Sequence, residues 1–66
     1  MTFDQWLTDT NNEFVKQIHQ RLGQFYMNTL HSSRPDLHNK IINTNYDPFY
    51  NDLMLDAFLP FLRENW

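Results

Sequence analysis

The apolar residues Phe14, Val15, Ile18, Leu22, Phe25, Tyr26 and Leu30 follow one another largely at steps of three and four. Such steps hold residues on one face of an α-helix, because each residue turns the chain by about 100°. Lys16, Gln17, Gln20, Gln24 and Asn28 fill the opposite side. The spacing predicts a helix over residues 12–32, long enough to be the spine of the fold. Gly23 falls inside it, where glycine costs about 1 kcal/mol against alanine. A close helix crossing would explain that glycine; simple tolerance is the commoner reason.

Thr2 with Gln5 has the form of a capping box, followed by Phe3, Trp6 and Leu7 on one face. This predicts a short first helix. Thr8-Asp9-Thr10-Asn11-Asn12 are weak helix formers that favour caps and turns, and Thr10 with Glu13 offers a second capping box. Phe3 and Leu7 project onto the face of the spine, so one long helix with a weak spot near Thr10 is the alternative. After the spine, Ser33 can cap a third helix with Pro35 in its first turn and Asp36 at its positive end. Leu37 and Ile41 form its buried side. Asn43-Thr44-Asn45 stop it. Asp47 suits an N-cap and Pro48 a first helical position, with a turn of helix through Phe49 and Tyr50. Asp52 can cap the last helix, which turns Leu55, Phe58, Leu59 and Leu62 inward. Pro60 kinks that helix or restricts its regular part to residues from about Asp56. Strand-type alternation is absent. The fold class expected is all-α, a small bundle of about four helical segments around one long central helix, with residues 1–66 as a single domain.

At 66 residues there is room for one core. Small domains often gain stability from disulfides, metals or association. The chain has no cysteine, so disulfides, thiol catalysis, iron–sulfur ligation and the usual zinc modules are excluded. Self-association or a protein partner is the expected supplement. A formal charge of −3, with scattered Lys and Arg, argues against nucleic-acid binding. No apolar run is long enough to cross a bilayer, and the start lacks a basic signal region. The expected location is the cytoplasm, with no membrane contact, no cofactor and no small-molecule substrate.

Asn45-Tyr46-Asp47-Pro48-Phe49-Tyr50-Asn51-Asp52 breaks the helical period and crowds three rings about one Asp-Pro step. A turn this apolar is either held in the core or offered to a partner. A domain this small has few rings to spare, so Phe49 is expected inside. Tyr46, Tyr50 and the C-terminal Trp66 are the candidate protein-binding residues, since Tyr and Trp are enriched at interface centres. Met27 projects away from the main apolar face and reads as a surface residue.

Gly23-Gln24-Phe25-Tyr26-Met27-Asn28-Thr29-Leu30, Arg34-Pro35-Asp36-Leu37 and Asp47-Pro48-Phe49 form a series that resembles small uncharacterised proteins of bacteriophage genomes. Those proteins carry similar G-Q-x-x-x-N-x-L, R-P-x-L and D-P-F motifs. The likeness covers about two-thirds of the chain, from Gly23 onward. It implies a helical fold and a phage setting, hence host cytoplasm, and brings no catalytic residue.

Sites of other kinds are not expected. His19, His31 and His38 are separated by twelve and seven residues, whereas helical metal pairs stand three or four apart. Asp47, Asp52 and Asp56 lack the water-poor cleft that paired acid–base chemistry needs, and two of them already suit helix caps. Ser32 and Ser33 beside His31 fit local hydrogen bonding at a helix end. The expected function is therefore a non-catalytic protein–protein interaction module that binds a host or phage protein. The alternative is a homo-oligomer that pairs the spine helix across Phe14, Ile18, Leu22 and Phe25. A metalloprotein or small enzyme ranks last.

Overall fold

The computed structural model describes all 66 residues, and its regular elements are all helical. They are α1 (Phe3–Phe14), α2 (Leu22–Ser33), α3 (Pro35–Ile41), a single 3-10 turn (Asp52–Met54) and α4 (Leu55–Asn65). The bundle is all-α as expected, but the long central helix is not there. The longest α-helices, α1 and α2, have 12 residues each.

The predicted spine is instead a helical hairpin, broken over residues 15–21. Gln17 explains the break locally. Its side-chain amide donates to the carbonyls of Phe14 and Gln20, both at 3.3 Å. Its Oε1 accepts from the backbone N–H groups of His19 and Gln20, both at 2.9 Å. One glutamine thus satisfies four backbone groups that a continuous helix would have paired internally. Packing explains the break globally. In a straight helix, residues twenty positions apart lie about 30 Å apart. The turn instead brings the Trp6 and Tyr26 ring centres to 5.8 Å, and Phe14 and Phe25 meet edge to face at 5.6 Å. The Tyr26 hydroxyl donates to Asn11 Oδ1 across the hairpin. Burial pushes the Tyr26 phenol above its ordinary value, and the bond to Asn11 pulls the other way. Val15 and Ile18, expected inward, are left on the surface; Ile18 is 92% exposed.

α1 also runs through the stretch expected to interrupt it. The capping box at Thr2 and Gln5 is formed on both sides. Thr10, though, is buried in mid-helix and begins nothing. Ser33 likewise lies inside α2, and the residue at the start of α3 is Arg34, whose side chain makes no capping bond. Arg34 grips Asp36 with two bonds of 3.0 and 2.9 Å. That grip holds the Asp36 carboxyl below its ordinary value. In α4, Pro60 and Asp56 are both exposed. Pro60 lies inside the helix, which starts at Leu55, and this exposed position accommodates the proline.

The core comprises Phe3, Trp6, Tyr26, Met27, Leu30, Leu37, Ile41, Phe58 and Leu62. Met27 corrects the surface reading, since it is only 2% exposed. Because α1 packs on one flank of α2 and α3 on another, α2 has two inward faces and Met27 belongs to the second. The largest aromatic cluster lies where the chain ends meet. Trp66 stands 5.5 Å from Trp6 and 5.9 Å from Phe3, centre to centre. Its indole N–H donates to the Met1 carbonyl at 3.0 Å. Arg34 donates to the Trp66 carbonyl at 2.8 Å and lies over its ring at 5.0 Å. Trp6 is buried, and its indole N–H has no partner.

Candidate interaction site

The Tyr46–Tyr50 turn is built by side chains bonding to backbone. Asn43 takes the left-handed conformation, with φ of 63°, as asparagine does more readily than most residues. Asp47 then accepts from two backbone N–H groups, Phe49 at 2.9 Å and Asn43 at 2.9 Å. Asp47 therefore closes a turn, and the helix expected through Phe49 and Tyr50 does not form; the backbone there is irregular. Asp52 also differs from its expected role. Asn51 caps the 3-10 turn by accepting from the Leu53 N–H at 3.0 Å. The Asp52 carboxylate reaches across to the start of α2. Its Oδ1 accepts from the Gly23 N–H at 3.0 Å and from Arg21 at 3.1 Å. Arg21 also donates to the Phe49 carbonyl.

Gly23 is what allows this approach. A Cβ there would overlap the Pro48 carbonyl oxygen, and would come within 2.7 Å of Asp52 Oδ1 and 2.9 Å of the Pro48 Cβ. The glycine thus marks a close crossing, by a turn and not by a helix. Pro48 is fully buried against it.

With its backbone pinned in this way, the turn divides its rings. Phe49 is half-buried against the core, and Tyr50 meets it edge to face at 4.8 Å while remaining 83% exposed. Tyr46 stacks on Phe61 of α4 at 4.6 Å and is 40% exposed. Beside them lies a pocket of about 140 Å³ lined by Met27, His38, Ile42, Asn43, Asp47, Phe49 and Tyr50. Trp66 stands apart, half-buried in the terminal cluster. Of the three residues singled out in the sequence, Tyr46 and Tyr50 belong to the turn and its neighbourhood, while Trp66 is tied to α1 and Arg34. Two surface residues were missed, Ile42 and Leu53, both exposed. Ile42 was legible in principle. It stands directly before the Asn43-Thr44-Asn45 stop, and it lies just past the end of α3, where it is not held on the buried side with Leu37 and Ile41.

The structure also joins what the spacing kept apart. The chain reverses at Arg34–Pro35, and the His31 and His38 rings come to 4.7 Å centre to centre, at 81°. No group of three or more His, Cys, Asp or Glu gathers into a larger ligand set. Asp47 and Asp52 are engaged by backbone donors and Arg21, and Asp56 is exposed. No helix is long and apolar enough to cross a membrane. No protein-family model, curated protein or solved structure matches the chain.

Proposed function

We propose that this chain is a non-catalytic interaction module that docks a protein partner at the Tyr46–Tyr50 turn, on the exposed Ile42 and Tyr50 that line its pocket. The observation that carries the reading is Tyr50. This large ring is left 83% exposed at the rim of a pocket that the exposed Ile42 also lines, and a contiguous exposed apolar patch is a mark of interaction sites. The pocket of about 140 Å³ has room for one side chain of the partner, with Met27, Ile42, Phe49 and Tyr50 as its apolar walls and His38, Asn43 and Asp47 as its polar ones. Tyrosine at the rim adds area and a hydroxyl at small cost in side-chain freedom. Following the phage resemblance, the partner is a host or phage protein in the host cytoplasm.

The test compares capture from host lysate by the wild type, Tyr50→Ala and Tyr46→Ala, alongside their thermal melts. Loss of the captured protein in Tyr50→Ala with an unchanged melt supports the reading. Equal capture by all three proteins overturns it. A homo-oligomer paired through a central helix has lost that helix, since Phe14 and Phe25 face each other across the hairpin. Self-association would have to use other apolar residues, of which Val15 and Ile18 are the most exposed near that loop. Sedimentation over a wide concentration range separates it from the first reading.

A further inference from the structure

We propose that His31 and His38 form a two-histidine site for a divalent transition-metal ion, bridging α2 to α3. The distance fits. At about 2.1 Å from metal to nitrogen, two imidazoles sharing one ion in adjacent positions have ring centres roughly 4.5–5.2 Å apart. The observed separation is 4.7 Å. The rings meet edge to face, and His31 is exposed, so its ring is free to turn until the two lone pairs converge.

Three features of the surroundings favour a cation. Both histidines occupy the last turns of their helices, where unpaired carbonyls leave a partial negative charge. His38 Nδ1 lies 3.4 Å from Asn39 Oδ1. In the tautomer that donates this bond, Nε2 keeps the free lone pair, as in metal sites whose histidines are oriented by a neighbouring acceptor. The neighbouring cation Arg34 is committed elsewhere, to Asp36 and the Trp66 carbonyl. Lys40, two residues along α3, is exposed to solvent.

The donor set defines the ion. Two imidazoles, with water completing the sphere, suit Cu²⁺, Ni²⁺ and Zn²⁺, while Mg²⁺ and Ca²⁺ demand oxygen ligands. Cu²⁺ binds most tightly, following the usual order for nitrogen sites. The ligands must be neutral, so affinity falls in acid. Bound metal ties the end of α2 to α3 and stabilises the fold by mass action.

The experiment is calorimetric titration of untagged protein with Cu²⁺, Zn²⁺ and Mg²⁺ at neutral pH, with thermal melts. The variants are His31→Gln, His38→Gln and, as control, His19→Gln. One Cu²⁺ or Zn²⁺ per chain is expected, with no response to Mg²⁺. Saturating Zn²⁺ should raise Tm by about 5 °C. Either His31→Gln or His38→Gln should weaken binding at least about tenfold, and His19→Gln should leave it unchanged. His31→Gln is the decisive variant, because an exposed residue can change without disturbing the metal-free melt. Absence of saturable binding, full binding by His31→Gln, or loss in His19→Gln each overturns the proposal.

Discussion

The two ends of α2 use the same device with opposite results. At each end an arginine just outside the helix donates to a backbone carbonyl of a distant segment. Arg21 holds Phe49, and Arg34 holds Trp66. At the Arg34 end the held residue's own ring lies under the guanidinium and against Trp6, so the aromatic is drawn in. At the Arg21 end the grip is on the backbone alone, helped by Asp52 and the absent side chain of Gly23. The turn is fixed by these polar bonds together with Phe49 on the core and Tyr46 on Phe61, and Tyr50 alone stays outside. The lesson is that securing a backbone does not by itself bury the rings around it. Arginine grips a carbonyl at both ends, and Tyr50 is left outside because neither the core nor a guanidinium covers it.

The comparison breaks most readily at Trp66. Trp66→Ala removes ring contacts with Phe3 and Trp6, and should cost about 3 kcal/mol by chemical denaturation. A loss near zero would mean that the terminal cluster does not hold the fold. Gly23→Ala comes next. Helix propensity alone predicts a gain of about 1 kcal/mol, while overlap with Pro48 and Asp52 predicts a loss of about 2 kcal/mol. The sign of the measured change decides whether the turn truly lies on that glycine. Asp52→Ala removes the acceptor at the start of α2 and should cost about 1 kcal/mol, with Asp52→Asn costing less because it keeps an oxygen there.

Acid sharpens the comparison at the Arg34 end. The Asp36 carboxyl is held below the ordinary 3.8 by Arg34. Its contribution is therefore complete above pH 3.8 and is lost as the pH falls through the lower value of the folded state. Wild type should lose more stability than Asp36→Asn over that interval, as read from Tm against pH. The smallest effect on stability is expected for Tyr50→Ala, within about 0.5 kcal/mol, since the ring is mostly in water. A larger loss would show that the turn depends on Tyr50 as well as on Phe49 and Tyr46.

Much of the fold was legible where the signal is local. The Thr2–Gln5 capping box, the Leu37–Ile41 side of α3 and the inward Phe58 and Leu62 all appear as read. The central helix was not, because Gln17 has no standing as a turn residue. Its four bonds depend on one side chain folding back on its own loop, and the apolar period runs straight across it. Met27 was misread because a single helical face was assumed for a helix with neighbours on two sides. At the candidate site, the sequence isolated the rings of the turn but gave Asp47 and Asp52 to helix starts. Asp47's partner, Asn43, is four residues away in a turn that the Pro48 helix-start signal masked, while Asp52's partner, Gly23, is fixed by tertiary geometry. The meeting of His31 with His38 depends in the same way on the angle between α2 and α3.

The placement of the indoles has a spectroscopic consequence. Both tryptophans of the chain stand in the terminal cluster, 5.5 Å apart. Emission excited beyond the tyrosine band therefore reports on one end of the molecule only. Fluorescence would follow the docking of the C-terminal residue onto α1, and exciton coupling between the two rings would mark the near-ultraviolet dichroism. Tyr46 and Tyr50 stay dark in that window. A tryptophan placed at position 50 would give the other end of the protein its own optical signal.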